Sequence, residues 1–296
     1  MKIVFKIILF FTIIVFIITC GIYVRFDAEN TEKIFEDRYS VSVLDNNGNI
    51  IGVYLNKDEQ WHLKSADEIP EKLKRAVMVF EDKNFYSHNG VDFSAVIRAV
   101  KDNIFEKRRT GASTITMQAV KMAQPKERSY FNKYLEIVHA FKLEKYYKKD
   151  EILKMYLNNA PYGGNIVGYK TASYMYFRKS PKELTWSEAA LLAVLPNSPG
   201  LMNVEKNREK LIEKRNFLLK KLYEKNFINE RQYRISLKEP VPDKRYNFPV
   251  LAPHLVRRLV NENKDKKIIK STIDSEIQKK TEKAVKDYSE FLKLSV

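Results

Sequence analysis

Hydrophobic positions recur along this chain with three different periods. Residues 7–24 are apolar almost without a break, preceded by Lys2 and Lys6 and closed by Arg25. At ~1.5 Å per residue, such a run is about long enough to cross a bilayer as one helix. Residues 41–44 and 50–55 flank Asp45-Asn46-Asn47-Gly48, the pattern of a β-hairpin with an Asn-Gly turn. Beyond the hairpin the spacing becomes helical. Leu73, Ala76, Val77 and Phe80 form one stripe of a helix opened by Ile69-Pro70. Phe93, Val96, Ile97, Val100 and Ile104 form the next stripe, and residues 101–109 read as a basic, mobile connection. Small residues from Gly111 run straight into a helix start within residues 111–118. Phe131, Tyr134, Leu135, Val138 and Phe141 mark a helix over 128–147, and residues 149–158 a shorter one. A breaker cluster at 159–165 precedes apolar segments at 172–177 and 186–195, the latter stopped by Pro196-Asn197-Ser198-Pro199-Gly200. Residues 207–223 form a basic amphipathic helix. Pro240, Pro242 and Pro249 mark a linker, and residues 268–274 read as one strand followed by a charged helix. The pattern predicts a mainly α protein with a short N-terminal β-hairpin, preceded by one transmembrane helix.

Composition narrows the class. The chain has 296 residues, of which 44% are hydrophobic, enough for one large domain or two modest ones. A net charge of +16 and a pI of about 9.5 point to an anionic partner: nucleic acid, a phosphate-bearing lipid or a membrane surface. No zinc-like Cys/His spacing, RNA-binding aromatic motif or basic zipper is present, so nucleic acid rests on charge alone and is set aside. The apolar run lacks an obvious cleavage site and reads as an uncleaved anchor. Lys2 and Lys6 favour a cytoplasmic start, with the remainder outside the cytoplasm. Cys20 is the only cysteine, so no internal disulfide can form. It reads as a membrane residue, since Thr19 before it is unusual for a lipoprotein signal.

Candidate chemistry gathers where the first helical stripe ends. Glu81 lies four residues after Val77, at the edge of the stripe. A carboxylate half turned toward a core has a raised pKa, which a general base working near neutrality needs. Asp82, Phe85, His88 and Gly90 follow within one loop, and Asp92 suits the cap of the next helix. By itself the run also fits a charged helix end with a capped turn. Ser113, Thr114 and Thr116 at a helix start suit an anion site, or simply a Ser N-cap, with Lys121 further along the same helix. Lys133 and Glu136 share a face at i, i+3; the plain alternative is a surface pair worth ~0.3 kcal/mol.

The spacing Glu81-Asp82-x-x-Phe85-x-x-His88-x-Gly90-x-Asp92 resembles the peptidoglycan glycosyltransferases (family 51), the lipid II polymerases of class A penicillin-binding proteins and of monofunctional transglycosylases. Four further blocks resemble that family in order between about Trp61 and Lys225. These are Gly111-x-Ser113-Thr114-Ile115-Thr116-x-Gln118; Lys133-x-x-Glu136; Lys149-x-x-Ile152-Leu153-x-x-Tyr156-Leu157-Asn158; and Ala172-Ser173-x-x-Tyr176-Phe177 through Glu188 to Ala193. The chain departs from the pattern at Asn132, where the family carries Arg, and at Arg178, where it carries Gly.

The resemblance implies a lysozyme-like fold and an inverting transfer on a lipid-linked disaccharide. Glu81 matches the family's general base and Glu136 its second essential carboxylate, for which a metal or orienting role fits better than general acid beside Lys133. Lys121, Arg128 and Lys133 match contacts to pyrophosphate. Ser113, Thr114 and Gln118 match groups that position phosphate or sugar. Asp82, Phe85 and His88 match residues that shape the site. No cofactor is required by the sequence; the resemblance allows a divalent cation (Mg or Mn), with ligands unknown. Implied partners are lipid II, the lipid-linked growing glycan, the membrane and other cell-wall synthesis proteins. The implied place is the bacterial cytoplasmic membrane, single-pass, with the catalytic domain on the extracytoplasmic side.

The expected organisation is a cytoplasmic start and anchor (1–25), a hairpin and linker (26–60), a glycosyltransferase domain (61–225), and a linker with the truncated start of a transpeptidase-like region (226–296). Residues 253–278 resemble the entry to a transpeptidase domain of the 1C type. No Ser-x-x-Lys or Lys-Thr-Gly occurs, so neither transpeptidase activity nor penicillin binding is expected. Two rivals remain: a lysozyme-like peptidoglycan-cleaving glycosidase, for which a helix-borne Glu also serves, and a non-catalytic scaffold in wall synthesis.

Overall fold

A computed structural model describes residues 2–65, 68–105, 111–197 and 207–294. The described helices are α1 (Lys2–Arg25), α2 (Thr31–Glu36), α3 (Glu71–Glu81), α4 (Phe93–Phe105), α5 (Ile115–Ala123), α6 (Tyr130–Tyr146), α7 (Lys149–Asn159), α8 (Tyr169–Phe177), α9 (Trp186–Val194), α10 (Arg208–Glu224), α11 (Glu230–Lys238), α12 (Pro253–Glu262) and α13 (Ser275–Leu294). The strands are β1 (Val41–Leu44), β2 (Ile50–Tyr54), β3 (Trp61–His62), β4 (Ile166–Val167) and β5 (Ile268–Lys270). Short polar side chains start several helices. Thr114, Ser129, Thr185 and Asn229 each accept a backbone N–H of the first turn.

The main core is built by α3, α5, α7, α8, α9 and α10. The expected stripe of α3 is buried at Leu73, Ala76 and Val77. α3 packs on α9 and α10, while α5 packs on α6 and α7. The apolar segment read from residue 172 lies in a helix that starts earlier, at Tyr169, behind Gly168. Gly168 has φ +83, and a Cβ there would lie 2.6 Å from the Asn158 carbonyl oxygen, so only glycine fits. The basic connection expected from residue 101 is helical as far as Phe105, because α4 continues along the same amphipathic spacing; residues 106–110 lie outside the described residues. The stop at Pro196 falls two residues past the end of α9, and residues 198–200 lie outside the described residues.

β1 pairs antiparallel with β2, as the hairpin pattern predicts, and parallel with β5 on its other edge. Val43, Ile51, Leu251, Val256 and Ile269 form a small second core beneath this sheet. Segments that lie at opposite ends of the sequence therefore share one sheet. β3 and β4 make a separate two-stranded parallel pair.

α1 is 24 residues long. Lys142 on α6 donates from Nζ to the carbonyls of Val24 at 3.0 Å and Phe26 at 2.5 Å. That cation offsets the negative end of α1. Phe26 stacks on His139 at 4.3 Å, and the hydroxyls of Thr19 and Tyr134 hydrogen-bond. α1 is thereby docked on α6, with Phe10, Phe11, Val15, Phe16 and Ile17 exposed. Among the described residues no helix is long and apolar enough to cross a membrane; in α1 the side chains described without a gap begin only at Leu9.

Candidate active site

Glu81 is the last residue of α3, one turn beyond the buried Val77. Its Oε2 accepts from Gln118 Nε2 at 2.8 Å, across the gap to α5. Its Oε1 is buried without a partner among the described residues. Burial pushes the Glu81 carboxyl above its ordinary value, and the neighbouring Asp82 adds to this. The Gln118 bond and the positive charge of Lys214 pull the other way without cancelling the rise.

Asp82 is a clamp. It is 6% exposed. His88 Nε2 donates to it at 3.0 Å and the Ile115 backbone N–H at 3.1 Å. One carboxylate thus fixes the tautomer of His88 and ties the start of α5 to the end of α3. Gly90 makes the same loop fit: with φ +90, a Cβ there would lie 2.9 Å from the Ala140 carbonyl carbon and oxygen in α6. Asp92 caps α4, accepting from Ala95 N–H at 2.9 Å and Ser94 Oγ at 2.6 Å. Burial raises its pKa, but these bonds and one from Asn84 outweigh that and hold it at about 2.

The start of α5 differs from the expected anion site. The cap is Thr114, not Ser113. Its Oγ1 accepts from Met117 N–H at 3.2 Å and donates to the Gly90 carbonyl at 2.6 Å. With Ile115 N–H taken by Asp82, two donors of the first turn are already used. Thr114 is buried and holds the backbone together. Ser113 remains outside the cap and accepts from Lys133 Nζ at 2.6 Å. Lys133 also donates to Glu136 Oε2 at 2.7 Å, so its ammonium sits between a hydroxyl of one element and a carboxylate of another. Lys121, Gln124, Lys126, Asn132 and Glu136 line a shallow concavity beside this group. Asn132, standing where the family pattern has Arg, donates to the Glu127 carbonyl at 2.7 Å. Arg128 is exposed in the connection between α5 and α6 and makes no ion pair with a described residue.

A scan against family models matches residues 47–223 to the transglycosylase family. The chain belongs to that family. Among its curated relatives, penicillin-binding protein 1C of Escherichia coli (strain K12) is 32% identical over 225 residues, covering 76% of this chain and 29% of that protein. Penicillin-binding protein 1A of Neisseria flavescens is 33% identical over 226 residues, covering 76% and 28%. The crystal structure of penicillin-binding protein 1A from Haemophilus influenzae aligns over 83% of this chain and 29% of that one, at 20% identity and a TM-score of 0.37. The chain spans less than a third of the length of these relatives.

Two features of this transglycosylase escaped the sequence. Glu144, 8% exposed at its side chain, accepts from Thr116 Oγ1 and Lys149 Nζ, each at 2.6 Å. Lys149 in turn lies 4.5 Å from the centroid of the buried Phe85 ring. Glu144 lies in a lysine-rich run that reads as solvated surface, so nothing in its spacing marked it. Lys214 on α10 donates to Asn197 Oδ1 at 3.1 Å and acts electrostatically on Glu81; its helix was expected, its direction was not. Tyr156, which stands in the fourth motif block, and Tyr162 are fully buried; burial pushes both hydroxyls well above their ordinary value, and the Glu81 charge adds to this. For a divalent cation the fit is poor. Among the described residues no group of three acidic, His or Cys side chains is placed to hold one, and Glu136 already receives Lys133.

Proposed function

We propose that this transglycosylase is a membrane-anchored peptidoglycan glycosyltransferase that polymerises lipid II into β-1,4 glycan. The observation that carries this is Glu81: a helix-terminal carboxylate with a raised pKa, held at one oxygen by Gln118 of α5, the helix that also carries Lys121. Glu81 takes the proton from the 4-hydroxyl of the acceptor sugar. The freed oxygen attacks C1 of the donor glycan from the face opposite its phosphate. The C1–O bond to undecaprenyl pyrophosphate breaks, and the configuration inverts. A pyrophosphate leaves as an anion and needs positive charge rather than a strong acid. Lys133, Lys121 and Arg128 supply it, with Ser113 and Gln118 as positioning donors. Glu136 orients Lys133, and Asp82 and His88 hold the loop that aims Glu81.

α1 serves as the anchor. At ~1.5 Å per residue its length is about that of a bilayer core. Phe93 and Ile97 on α4 and Tyr130 and Phe131 on α6 are exposed, Phe93 stacks on Phe141 of α6, and they suit contact with the membrane surface that delivers the lipid. Purified lipid II, incubated with wild type and with Glu81→Gln, tests the reading. A glycan ladder from wild type that is lost in the variant is expected. Cleavage of preformed glycan by wild type, without polymer, would instead mean a glycosidase. Neither activity, from a folded protein, would mean a scaffold.

A further inference from the structure

The concavity between α5 and α6 has an apolar floor, Val120 and Leu135, and a charged rim. Glu136 joins it to the group already described, since its Oε2 accepts from Lys133 at 2.7 Å. That bond compensates the one carboxylate among the lining residues. His139 lies on the α6 wall. Burial, and then the charges of Lys126 and Lys142, hold it at about 4 against a bond from the Ile22 backbone, so it adds no charge near neutrality. Two cations remain on the rim: Lys121 of α5 and Lys126 of the connection to α6. Both are exposed, and neither makes an ion pair or side-chain hydrogen bond with a described residue.

The backbone that presents Lys126 is held from both sides. Ahead of it, the Arg38 guanidinium donates to the Met122 carbonyl at 2.7 Å and the Ala123 carbonyl at 3.2 Å, which fixes the end of α5. Pro125 then confines the chain to one range of φ. Behind it, Asn132 Nδ2 donates to the Glu127 carbonyl at 2.7 Å. Asn132 lines the same concavity and stands where the family pattern carries Arg. An arginine there would bring a cation to the rim. The asparagine instead bonds the carbonyl one residue past Lys126. Position 132 has exchanged a charge for a bond that steadies the carrier of another charge.

We propose that Lys126 is a fourth cation for the substrate pyrophosphate, in place of the charge absent at position 132, with Asn132 as its positioning residue. A pyrophosphate offers two anionic groups. Lys133, bridged to Ser113 and Glu136, meets one of them. Lys121 and Lys126, on the rim that Glu136 shares, meet the other. As the C1–O bond breaks, charge builds on the departing oxygen, and cations already in place stabilise it. A lysine ammonium is a point charge on a flexible stem, so it follows the departing group where an arginine fork would hold one geometry.

This rests on the polymerase reading, so the test has two arms. The first measures lipid II polymerisation in neutral detergent and on vesicles containing anionic lipid. The proteins are wild type, Lys126→Ala, Lys126→Ala with Asn132→Arg, and Lys145→Ala, an exposed lysine in the last turn of α6. Expected for Lys126→Ala is a fall of about tenfold in kcat/KM in both media, narrowing as salt screens exposed charge. The double variant should recover, and Lys145→Ala should match wild type. Asn132→Ala should lower activity alone and add nothing to Lys126→Ala. The second arm measures binding of inorganic pyrophosphate to the same proteins by calorimetry, where the same order is expected. Full activity in Lys126→Ala, a loss that Asn132→Arg does not repair, or an equal loss in Lys145→Ala would overturn the proposal. A loss confined to anionic vesicles would also overturn it and make Lys126 a headgroup contact. If wild type makes no polymer, the functional reading fails, and pyrophosphate binding still decides whether Lys126 serves an anion.

Discussion

Burial holds the Glu81 carboxyl above its ordinary range, and two behaviours follow. In the proposed reaction Glu81 works only when ionised, so activity should rise with pH along a limb set by Glu81, above the ordinary glutamate value. Lys214→Met removes a charge that favours the ionised form and should move that limb further up; an unmoved pH profile would count against Lys214 as a partner of the base. Stability should behave in the opposite sense. A folded-state value above the unfolded one means that Glu81 contributes stability in full below its ordinary value of 4.5. That contribution is lost as pH rises through the folded value. Glu81→Gln should therefore melt higher than wild type at pH 7, by a margin that shrinks toward pH 4, while losing roughly 10²–10⁴ of its activity. Lys133 bridges Ser113 and Glu136. Lys133→Ala should lower kcat/KM for lipid II by roughly 10² if its charge meets the leaving pyrophosphate.

The site depends on how α3, α5 and α6 are tied. Asp82 bonds both the first N–H of α5 and His88, so Asp82→Ala leaves two buried donors unsatisfied. About 1–3 kcal/mol of stability should be lost per donor, read from a denaturant midpoint, together with activity. Gly90→Ala forces a Cβ against the α6 backbone at a positive φ and should cost at least about 1–3 kcal/mol. Much of this arrangement was legible in the sequence. The stripe Leu73, Ala76, Val77 fixed which side of α3 is buried, and with it that Glu81 lies at the margin. The run from Glu81 to Asp92 marked Asp92 as the α4 cap, while Asp82 and His88 came only as site-shaping residues that the resemblance implies. Thr114 replaced Ser113 as the α5 cap because cap choice depends on where the preceding loop crosses Gly90, and no local pattern records that. Glu144 and Lys214 were out of reach for the same reason. Each works through a residue on another element, while its own neighbours read as ordinary helix. β4, at two residues, is too short to leave a period.

For the whole molecule, the docking of α1 on α6 couples the apolar helix to the helix that carries Lys133 and Glu136. Lys142 caps α1, and Tyr134 and His139 brace it. Replacing Tyr130 and Phe131 by Ser should reduce activity on bilayer-embedded lipid II more than on detergent-dispersed lipid II; equal losses would argue against a membrane-facing role. The small sheet has a consequence of another kind. β1 is its middle strand, and its two partners reach it at very different times. β2 follows after a tight turn, but the contact between Ser42 and Lys267 spans 225 residues. On a chain emerging from its amino end at roughly 5–20 residues per second, one edge of the hairpin stands open for roughly 10–45 s. An open strand edge invites pairing with other chains. The newborn protein is therefore most exposed to wrong partners while α3 to α12 are still being made, and β5 ends that interval.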